Sequence, residues 1–245
     1  MRGELTQRSI KCMDYQMKTV YQPIVSDSNI VAFEALARPK FLHMLVSPDK
    51  WFEDMILQGE GEMAEKRAIQ SSLYHFSDSS SLLFINVIPK HLEDRSFVDW
   101  LLFHCSENDF LKNRLVVELL ESVPYDWKIV KDAIDVLRRA GIRVALDDVG
   151  VGTHTIEMLL NLMPDFIKLD RLFCNNLPHI RVYYRFLEFL FRALGEDKVI
   201  AEGVETEQQA QFLFSLGISL QQGYYWGKPM SILPSGGQNE TSIDS

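Results

Sequence analysis

The succession of apolar and polar positions along the chain predicts eight short strands that alternate with helices. Short apolar runs bounded by polar or turn-forming residues predict strands at residues 19–25, 30–37, 82–87, 114–121, 143–148, 166–170, 198–202 and 219–225. Apolar positions at helical spacing predict helices at residues 48–58, 61–73, 97–104, 126–140, 156–162, 180–194 and 205–216. Most strands are therefore followed by a helix, which is the pattern of a largely parallel sheet.

The first two predicted strands break this pattern, because only the segment Ser26-Asp27-Ser28-Asn29 separates them. Parallel neighbours need a connection of about a dozen residues or more, so this short connection predicts an antiparallel hairpin. The eight strands favour an α/β fold of the closed TIM-like (β/α)8 barrel type, with the first strand antiparallel to the other seven. An open doubly wound sheet is the alternative, although the sequence has no GxGxxG turn of the kind that marks its binding crevice.

A polar residue interrupts each apolar run near the carboxyl end of its predicted strand, from the second strand to the eighth. In a closed barrel these ends meet at one rim, where (β/α) barrels build their active sites. A reversed first strand brings Gln22 to the same rim. The barrel prediction therefore gathers a set of polar side chains in one place, namely Gln22, Glu34, Asn86, Glu118, Asp147, Lys168, Glu202 and Gln222.

Two adjacent acids, Asp147 and Asp148, end the apolar run 143–148 and precede two glycines, Gly150 and Gly152. Neighbouring carboxylates repel, so a positive partner is expected. A pair of hard metal ions is one answer, because a carboxylate that bridges two cations relieves the repulsion. A helix N-terminus after a glycine-rich turn is the other answer, because Asp is favoured at helix caps.

The wider set of strand-end residues is rich in oxygen ligands, with several carboxylates and one amide, and it contains no thiolate. Such ligands suit Mg²⁺ or Mn²⁺. Two ions could be held by Glu34, Asn86, Glu118, Asp147 and Asp148, with Glu202 completing the second site. Lys168 could orient a water, hold a carboxylate or stabilise charge on a phosphate oxygen. The structural alternative makes Lys168 a buried counter-ion in a polar network.

Composition and charge narrow the function classes. The chain is 47% hydrophobic, which is enough for a substantial core, and its net charge of −9 argues against nonspecific binding to DNA or an anionic membrane. The cysteines are isolated, and no signal peptide or membrane segment is present, so we expect a cytoplasmic protein. We expect frayed ends at residues 1–15 and 231–245 around one domain at 16–230, and a solvated helix face at Glu60, Glu62 and Glu65.

The same residues resemble the EAL domain family, the bacterial phosphodiesterases that hydrolyse cyclic di-GMP. The resemblance covers nearly the whole chain and includes six separate matches in register. The segments that carry it include Tyr21-Gln22-Pro23-Ile24, Glu34-Ala35-Leu36-Ala37-Arg38, Glu202-Gly203-Val204-Glu205-Thr206, Gln222-Gly223-Tyr224 and Lys228-Pro229.

The resemblance implies a role for each matching residue in the hydrolysis of cyclic di-GMP to linear pGpG with two metal ions, Mg²⁺ or Mn²⁺. It assigns the first ion to Glu34, Asn86, Glu118 and Asp147, and the second to Asp147, Asp148 and Glu202. It assigns water activation to Lys168 and Glu202, and support of the loop after the paired acids to Glu121. It places Gln22, Arg38, Glu205 and Gln222 at the substrate.

The chain departs from the family in the loop after the paired acids. The family usually has Phe-Gly-Thr-Gly-Tyr-Ser-Ser there, whereas this chain has the segment Val149-Gly150-Val151-Gly152-Thr153-His154-Thr155. The change affects loop packing, any homodimer contact and the rate more than metal binding. The rival prediction is a catalytically weak or inactive domain that acts as a cyclic di-GMP receptor or binds a regulatory protein partner. Without an adjoining sensor domain, we expect regulation through expression, oligomerisation or another chain.

Overall fold

The computed structural model describes residues 11–77, 80–107, 111, 113–120, 123–149, 156–172 and 181–232. Its strands are β1 (Gln16–Ser26), β2 (Asn29–Phe41), β3 (Met44–Leu45), β4 (Leu82–Val87), β5 (Leu115–Leu119), β6 (Arg143–Val149), β7 (Phe166–Leu169), β8 (Val199–Ala201) and β9 (Leu220–Gln222). Its α-helices are α1 (Pro48–Leu57), α2 (Gly61–His75), α3 (Arg95–Ser106), α4 (Trp127–Arg139), α5 (Ile156–Leu162), α6 (Arg181–Leu194) and α7 (Glu207–Ser215). Short 3₁₀ helices span Cys12–Asp14, Pro89–Glu93 and Glu196–Lys198.

Eight of these strands close into a barrel. The order is β1-β9-β8-β7-β6-β5-β4-β2, and pairing of β1 with β2 closes the ring, while β3 pairs with the other edge of β2. β1 is antiparallel to both of its neighbours, and the remaining barrel strands pair in parallel. The predicted barrel with a reversed first strand is therefore confirmed, and the open-sheet alternative is excluded.

The opening hairpin forms because its connection is a tight turn. Ser26 pairs with Asn29, and the two residues between them, Asp27 and Ser28, have φ angles of 47° and 67°. Short polar residues tolerate this left-handed backbone better than most, and such turns match the twist of the flanking strands. The short connection thus reverses β1, as its length predicts.

Several element bounds differ from the prediction by a few residues, and two differences concern the strands themselves. The two-residue strand β3 was not predicted, because two residues are too few to show an alternating pattern. The last strand ends at Gln222 instead of residue 225, since Gly223 accepts a backbone hydrogen bond from Trp226 and the chain turns. Residues 12–15 lie within the predicted N-terminal segment, and Cys12 and Tyr15 are buried in a small cluster with Trp51. The predicted domain boundaries stay predictions.

Two successive layers of side chains fill the barrel interior. The apolar layer comprises Ile24, Ala32, Phe84, Val116, Ala145, Phe166, Ile200 and Leu220. The polar layer lies two residues further toward the rim on every strand and comprises Gln22, Glu34, Asn86, Glu118, Asp147, Lys168, Glu202 and Gln222. Residues two apart on a strand point to the same face, so both layers face inward. A larger apolar cluster packs between the barrel wall and the helices.

Candidate metal centre

Lys168 lies at the centre of the polar layer. Its ammonium is 2.7 Å from Glu118 Oε1, 2.7 Å from Glu202 Oε1 and 3.1 Å from Glu34 Oε2. Lys168 and Glu118 are almost completely buried, at 1% and 0% exposure, and Glu34 is 7% exposed. The predicted convergence of β2, β5, β7 and the end of β8 is therefore observed, and Lys168 holds three carboxylates in place.

Two side-chain amides complete the surroundings of Glu34. Gln222 Nε2 donates to Glu34 Oε2 at 2.6 Å, and Asn86 Nδ2 donates to Glu34 Oε1 at 3.1 Å. Gln22 also lies in the layer, where its Nε2 donates to the carbonyl oxygen of Gly227 at 3.3 Å. In both of these hydrogen bonds to Glu34 the amide nitrogen is the donor, so the amide oxygens of Asn86 and Gln222 are not used by Glu34.

Some oxygen atoms of the layer are buried without a hydrogen-bond partner in the described part of the chain, namely Asn86 Oδ1, Glu118 Oε2 and Gln222 Oε1. A buried acceptor that lacks a partner costs about 1–3 kcal/mol. A bound cation offsets this cost because it accepts coordination from several oxygens at once. The donor set of carboxylates and amides is that of hard ions such as Mg²⁺ and Mn²⁺, so the residues present fit a metal.

A β-bulge brings the adjacent acids Asp147 and Asp148 to the same rim. Leu146 pairs with Ile167 and Val149 pairs with Leu169, so two residues of β6 lie opposite the single residue Lys168. Successive side chains of a regular strand point to opposite faces, and a bulge removes that constraint. Asp148 adopts a left-handed φ of 51°, and its N–H donates to Asp147 Oδ1 at 3.0 Å.

Two groups of carboxylates are close enough to share a cation. Glu34, Glu118 and Glu202 each offer an oxygen within 4.8 Å of the others, and the same holds for Asp147, Asp148 and Glu202. Glu202 belongs to both groups and lies directly after β8, where its N–H continues the ladder to Leu169 O at 3.0 Å. Each group could hold a cation, and Lys168 already contacts all three residues of the first group. Residues 150–155 lie outside the described residues, so the helix-cap alternative stays a prediction.

Burial and charge set the pKa values of the carboxyl groups in this layer. Burial raises the pKa of Glu118 well above its ordinary range, although the positive charge of Lys168 acts to lower it. Burial also raises the pKa of Glu202, to about 7. Burial alone raises the pKa of Glu34 too, but the Lys168 charge and the amide hydrogen bonds outweigh it, and the net direction is downward.

Lys168 stays protonated although it is buried. Burial alone lowers its pKa, but the carboxylates around it, chiefly Glu118 and Glu202, raise the pKa well above the ordinary lysine value. A group that holds its proton this firmly acts as a fixed positive charge and hydrogen-bond donor rather than as a base. Of the three roles predicted for Lys168, holding carboxylates is the one observed directly.

The remaining predicted site residues lie in different places. Arg38 is half-buried on β2 and donates to the carbonyl oxygen of Ala37, and its pKa is lowered by burial. Glu205 is exposed, and its backbone N–H donates to Gln209 Oε1 beside the start of α7. Glu121 and the variant loop residues 150–155 lie outside the described residues.

One polar residue near the site was misjudged from the sequence. Glu65 was expected on a solvated helix face, but its side chain is 2% exposed. It accepts hydrogen bonds from the backbone N–H of Ile88 and from His91 Nδ1, both just beyond β4. The helical period contained the signal, because Glu65 precedes Ile69 and Leu73 by one and two turns on the predicted apolar side of α2.

The fold and this rim define a (β/α) barrel with an acidic site suited to divalent metal. The family model of the EAL domain matches residues 6–229, and the chain belongs to the EAL domain family. The chain is similar to the probable cyclic di-GMP phosphodiesterase PdeI of Escherichia coli (strain K12), with 32% identity over 226 residues. This match covers 86% of the chain and 28% of PdeI, so the chain spans less than a third of that relative.

Solved structures show the same architecture. The PaMucR phosphodiesterase, solved as a c-di-GMP complex, has a TM-score of 0.76 at 25% identity, covering 90% of this chain and 93% of that chain. An EAL domain protein of Listeria monocytogenes EGD-e has a TM-score of 0.79 at 23% identity, covering 88% and 89%. Within the described residues, no helix combines the length and apolar character needed to cross a bilayer.

Proposed function

We propose that this chain is a metal-dependent phosphodiesterase that hydrolyses cyclic di-GMP to linear pGpG. The observation that carries the proposal is the convergence of carboxylates at the barrel rim. They form two groups that share Glu202, and within each group one oxygen of every residue lies within 4.8 Å of the others. The names of PdeI and of the PaMucR complex point to the same reaction and nucleotide. A receptor that only binds the nucleotide has no need for so costly a set of buried charges.

We assign the ligands of two Mg²⁺ or Mn²⁺ ions as the resemblance implies. Glu34, Asn86, Glu118 and Asp147 would hold the first, and Asp147, Asp148 and Glu202 the second. When bound, two such ions offset the negative charge that develops on the phosphodiester and lower the pKa of water. The unpaired oxygens of Asn86 and Glu118 support the first assignment, and the bulge at Asp147 and Asp148 supports the second.

The chain supplies proton transfer and fixed charge around the reacting phosphate. Glu202 lies at the rim with the other candidate ligands, where its carboxylate is positioned to take the proton of the attacking water. The new bond joins the water oxygen to phosphorus, and the bond to the ribose 3′ oxygen breaks. The departing oxygen takes a proton from solvent to give a 3′ hydroxyl, and Glu202 later returns its proton to solvent. Lys168 donates a hydrogen bond to Glu202 and keeps that carboxylate directed at the rim. The single positive charge of Lys168 also favours the anionic transition state.

Substrate contacts follow the family assignment to Gln22, Arg38, Glu205 and Gln222. Among these residues the assignment of Arg38 has the strongest support. Its half-buried guanidinium lies on β2, four residues after Glu34, and a guanidinium is well suited to bind a phosphate oxygen. The support role of Glu121, a cytoplasmic location, a homodimer and a regulatory protein partner stay predictions for this chain.

The test is hydrolysis of cyclic di-GMP by purified protein that has been stripped with a chelator and then supplied with Mg²⁺ or Mn²⁺. Chromatography of the products should show pGpG with either ion and no product with the chelator alone. Asp147→Asn should abolish turnover, whereas Asp165→Asn should retain it. Asp165 is a suitable control because its carboxylate, like that of Asp147, accepts a backbone N–H. It accepts from Val144 N–H, pairs with Arg138, and lies at the opposite end of the barrel.

Two outcomes would contradict the proposal. Intact nucleotide after prolonged incubation with both ions would exclude the phosphodiesterase. If calorimetry then showed tight binding of cyclic di-GMP without turnover, the receptor alternative would take its place. Equal loss of turnover in the Asp147 and Asp165 variants would show that the effect is one of folding and would remove the metal assignment.

A further inference from the structure

Glu65 is a fully buried carboxylate that contacts none of the polar layer directly. It lies in the second turn of α2, and the segment that follows β4 donates to both of its oxygens. Oε1 accepts from the N–H of Ile88, and Oε2 accepts from His91 Nδ1. A buried carboxylate is costly, and replacement of such groups by apolar ones often stabilises a protein. Its place therefore calls for a role beyond packing.

The segment held by Glu65 directly follows β4, whose second-to-last residue is the candidate ligand Asn86. β4 ends at Val87, whose carbonyl oxygen accepts from Leu120 N at 3.1 Å. Ile88 is 4% exposed, so loss of Glu65 would remove the acceptor of a backbone N–H in a buried residue. His91 stands in the following 3₁₀ turn, Pro89–Glu93, with its ring 5.6 Å from that of Phe97. Glu65 thus fixes the chain directly after Asn86 at two points.

Hydrogen bonds fix α2 to the barrel, so the helix that carries Glu65 is itself held in place. Tyr21 OH donates to the carbonyl oxygen of Ser72 at 2.8 Å, and Thr19 Oγ1 donates to Ser71 Oγ at 2.8 Å. These bonds join α2 to β1, while Glu65 joins α2 to the end of β4. A ligand placed by rigid elements keeps its oxygen in position better than one placed by a loop alone.

We propose that Glu65 is a positioning residue that sets the place of Asn86 through Ile88 and His91 and so raises the affinity of the first metal site. The inference rests on the proposed function, because it takes Asn86 as a metal ligand. Residues that hydrogen-bond directly to a metal ligand change metal affinity by about 10-fold to 100-fold, and because Glu65 acts on Asn86 through the backbone, we expect an effect at the lower end of that range.

The test is a titration with Mn²⁺, followed by the electron paramagnetic resonance signal of the free ion, in protein without nucleotide. Glu65→Ala should bind Mn²⁺ about tenfold more weakly than the wild type. Glu65→Gln should stay within about threefold, because its amide oxygen can accept from Ile88 N–H and its amide N–H can donate to the other tautomer of His91. Asp165→Ala removes a carboxylate that also accepts a backbone N–H but is 34% exposed and lies at the far end of the barrel, and it should bind Mn²⁺ as the wild type does.

The outcomes separate this inference from the function on which it rests. If the wild type binds no Mn²⁺, the metal assignment fails and the inference fails with it. If the wild type binds and folded Glu65→Ala binds equally well, or if Asp165→Ala weakens binding as much, the inference alone is overturned. Should Glu65→Ala not fold, His91→Ala removes one of the two bonds and should weaken binding measurably, and His91→Asn, which retains a donor near Nδ1, should restore it. Equal binding by both His91 variants would overturn the inference.

Discussion

The two layers of the barrel interior occupy the same strands and the same face, two residues apart, yet they are chemically opposite. The apolar layer, which includes Phe84, Val116 and Ile200, consists of side chains that need no hydrogen-bond or ionic partner. The polar layer above it sets four carboxyl groups, those of Glu34, Glu118, Asp147 and Glu202, against the single ammonium of Lys168. The difference shows that the apolar layer stabilises the closed barrel, whereas the polar layer lowers its stability by burying charged groups that suit a metal site.

The largest expected effect comes from the polar layer. Glu34→Ala removes a carboxylate that contacts Lys168, Gln222 and Asn86, and hydrolysis of cyclic di-GMP should fall by about a thousandfold, which is ~4 kcal/mol of barrier. The barrel should stay folded, because the apolar layer is untouched. Turnover assays and circular dichroism check this together, and a variant of unchanged rate would contradict the metal assignment.

The apolar layer should respond in the opposite way. Ile200→Ala, two residues before Glu202, empties a fully buried site and should lower the free energy of unfolding by about 3 kcal/mol. Turnover at 25 °C should change little, because no ligand is removed. Urea unfolding followed by fluorescence measures the first effect. Loss of turnover in the folded variant equal to that of Glu34→Ala would show that the two layers do not separate stability from chemistry.

Lys168→Met removes the only cation of the polar layer and leaves its carboxylates facing one another. In the presence of a chelator at pH 8 the free energy of unfolding should fall by ~2 kcal/mol, less than for a fully ionised buried pair because some carboxyl groups will take up protons. The loss of unfolding free energy should be smaller at pH 6, where the carboxyl groups bind those protons readily. It should also be smaller when Mn²⁺ replaces the chelator. Equal stability of variant and wild type at pH 8 without metal would contradict this account.

The smallest effect concerns Glu65, a buried carboxylate outside both layers. Burial raises its pKa from the ordinary value of 4.5. Burial alone lowers the pKa of His91, but the bond to Glu65 turns the net shift upward. Both groups hold protons more firmly in the folded state, so their stabilising contribution is complete below the unfolded pKa and is lost as pH rises through the folded pKa.

Urea unfolding of the wild type and of Glu65→Gln between pH 5 and pH 8 tests that sign. The wild type should lose stability relative to the variant as pH rises, because the variant has no carboxyl group to ionise and frees His91 from its acidic partner. A stability difference that is constant over this range, or that grows in favour of the wild type, would contradict the pKa directions.

Much of the polar layer was predictable because it follows from two features, the period of two in a strand and the common rim of the strands in a barrel. Strands show a period of two, and the carboxyl ends of parallel strands in a barrel meet at one rim, so Glu34, Glu118 and Lys168 could be placed together from their positions alone. The exceptions have other causes. β3 is too short to show a period, and Glu65 was assigned to solvent because acids are rarely buried, although its helical position lay on the apolar side.

By itself the sequence determined the strands, the reversed first strand and the identity of the residues at each strand end, because hydrophobic period and connection length act within a few residues. Only the tertiary structure decided how those residues share their charges. The bulge that turns Asp147 and Asp148 to one side depends on the register of β6 against β7, and the three contacts of Lys168 depend on barrel closure. Register and closure are properties of paired strands, so no single segment contains them.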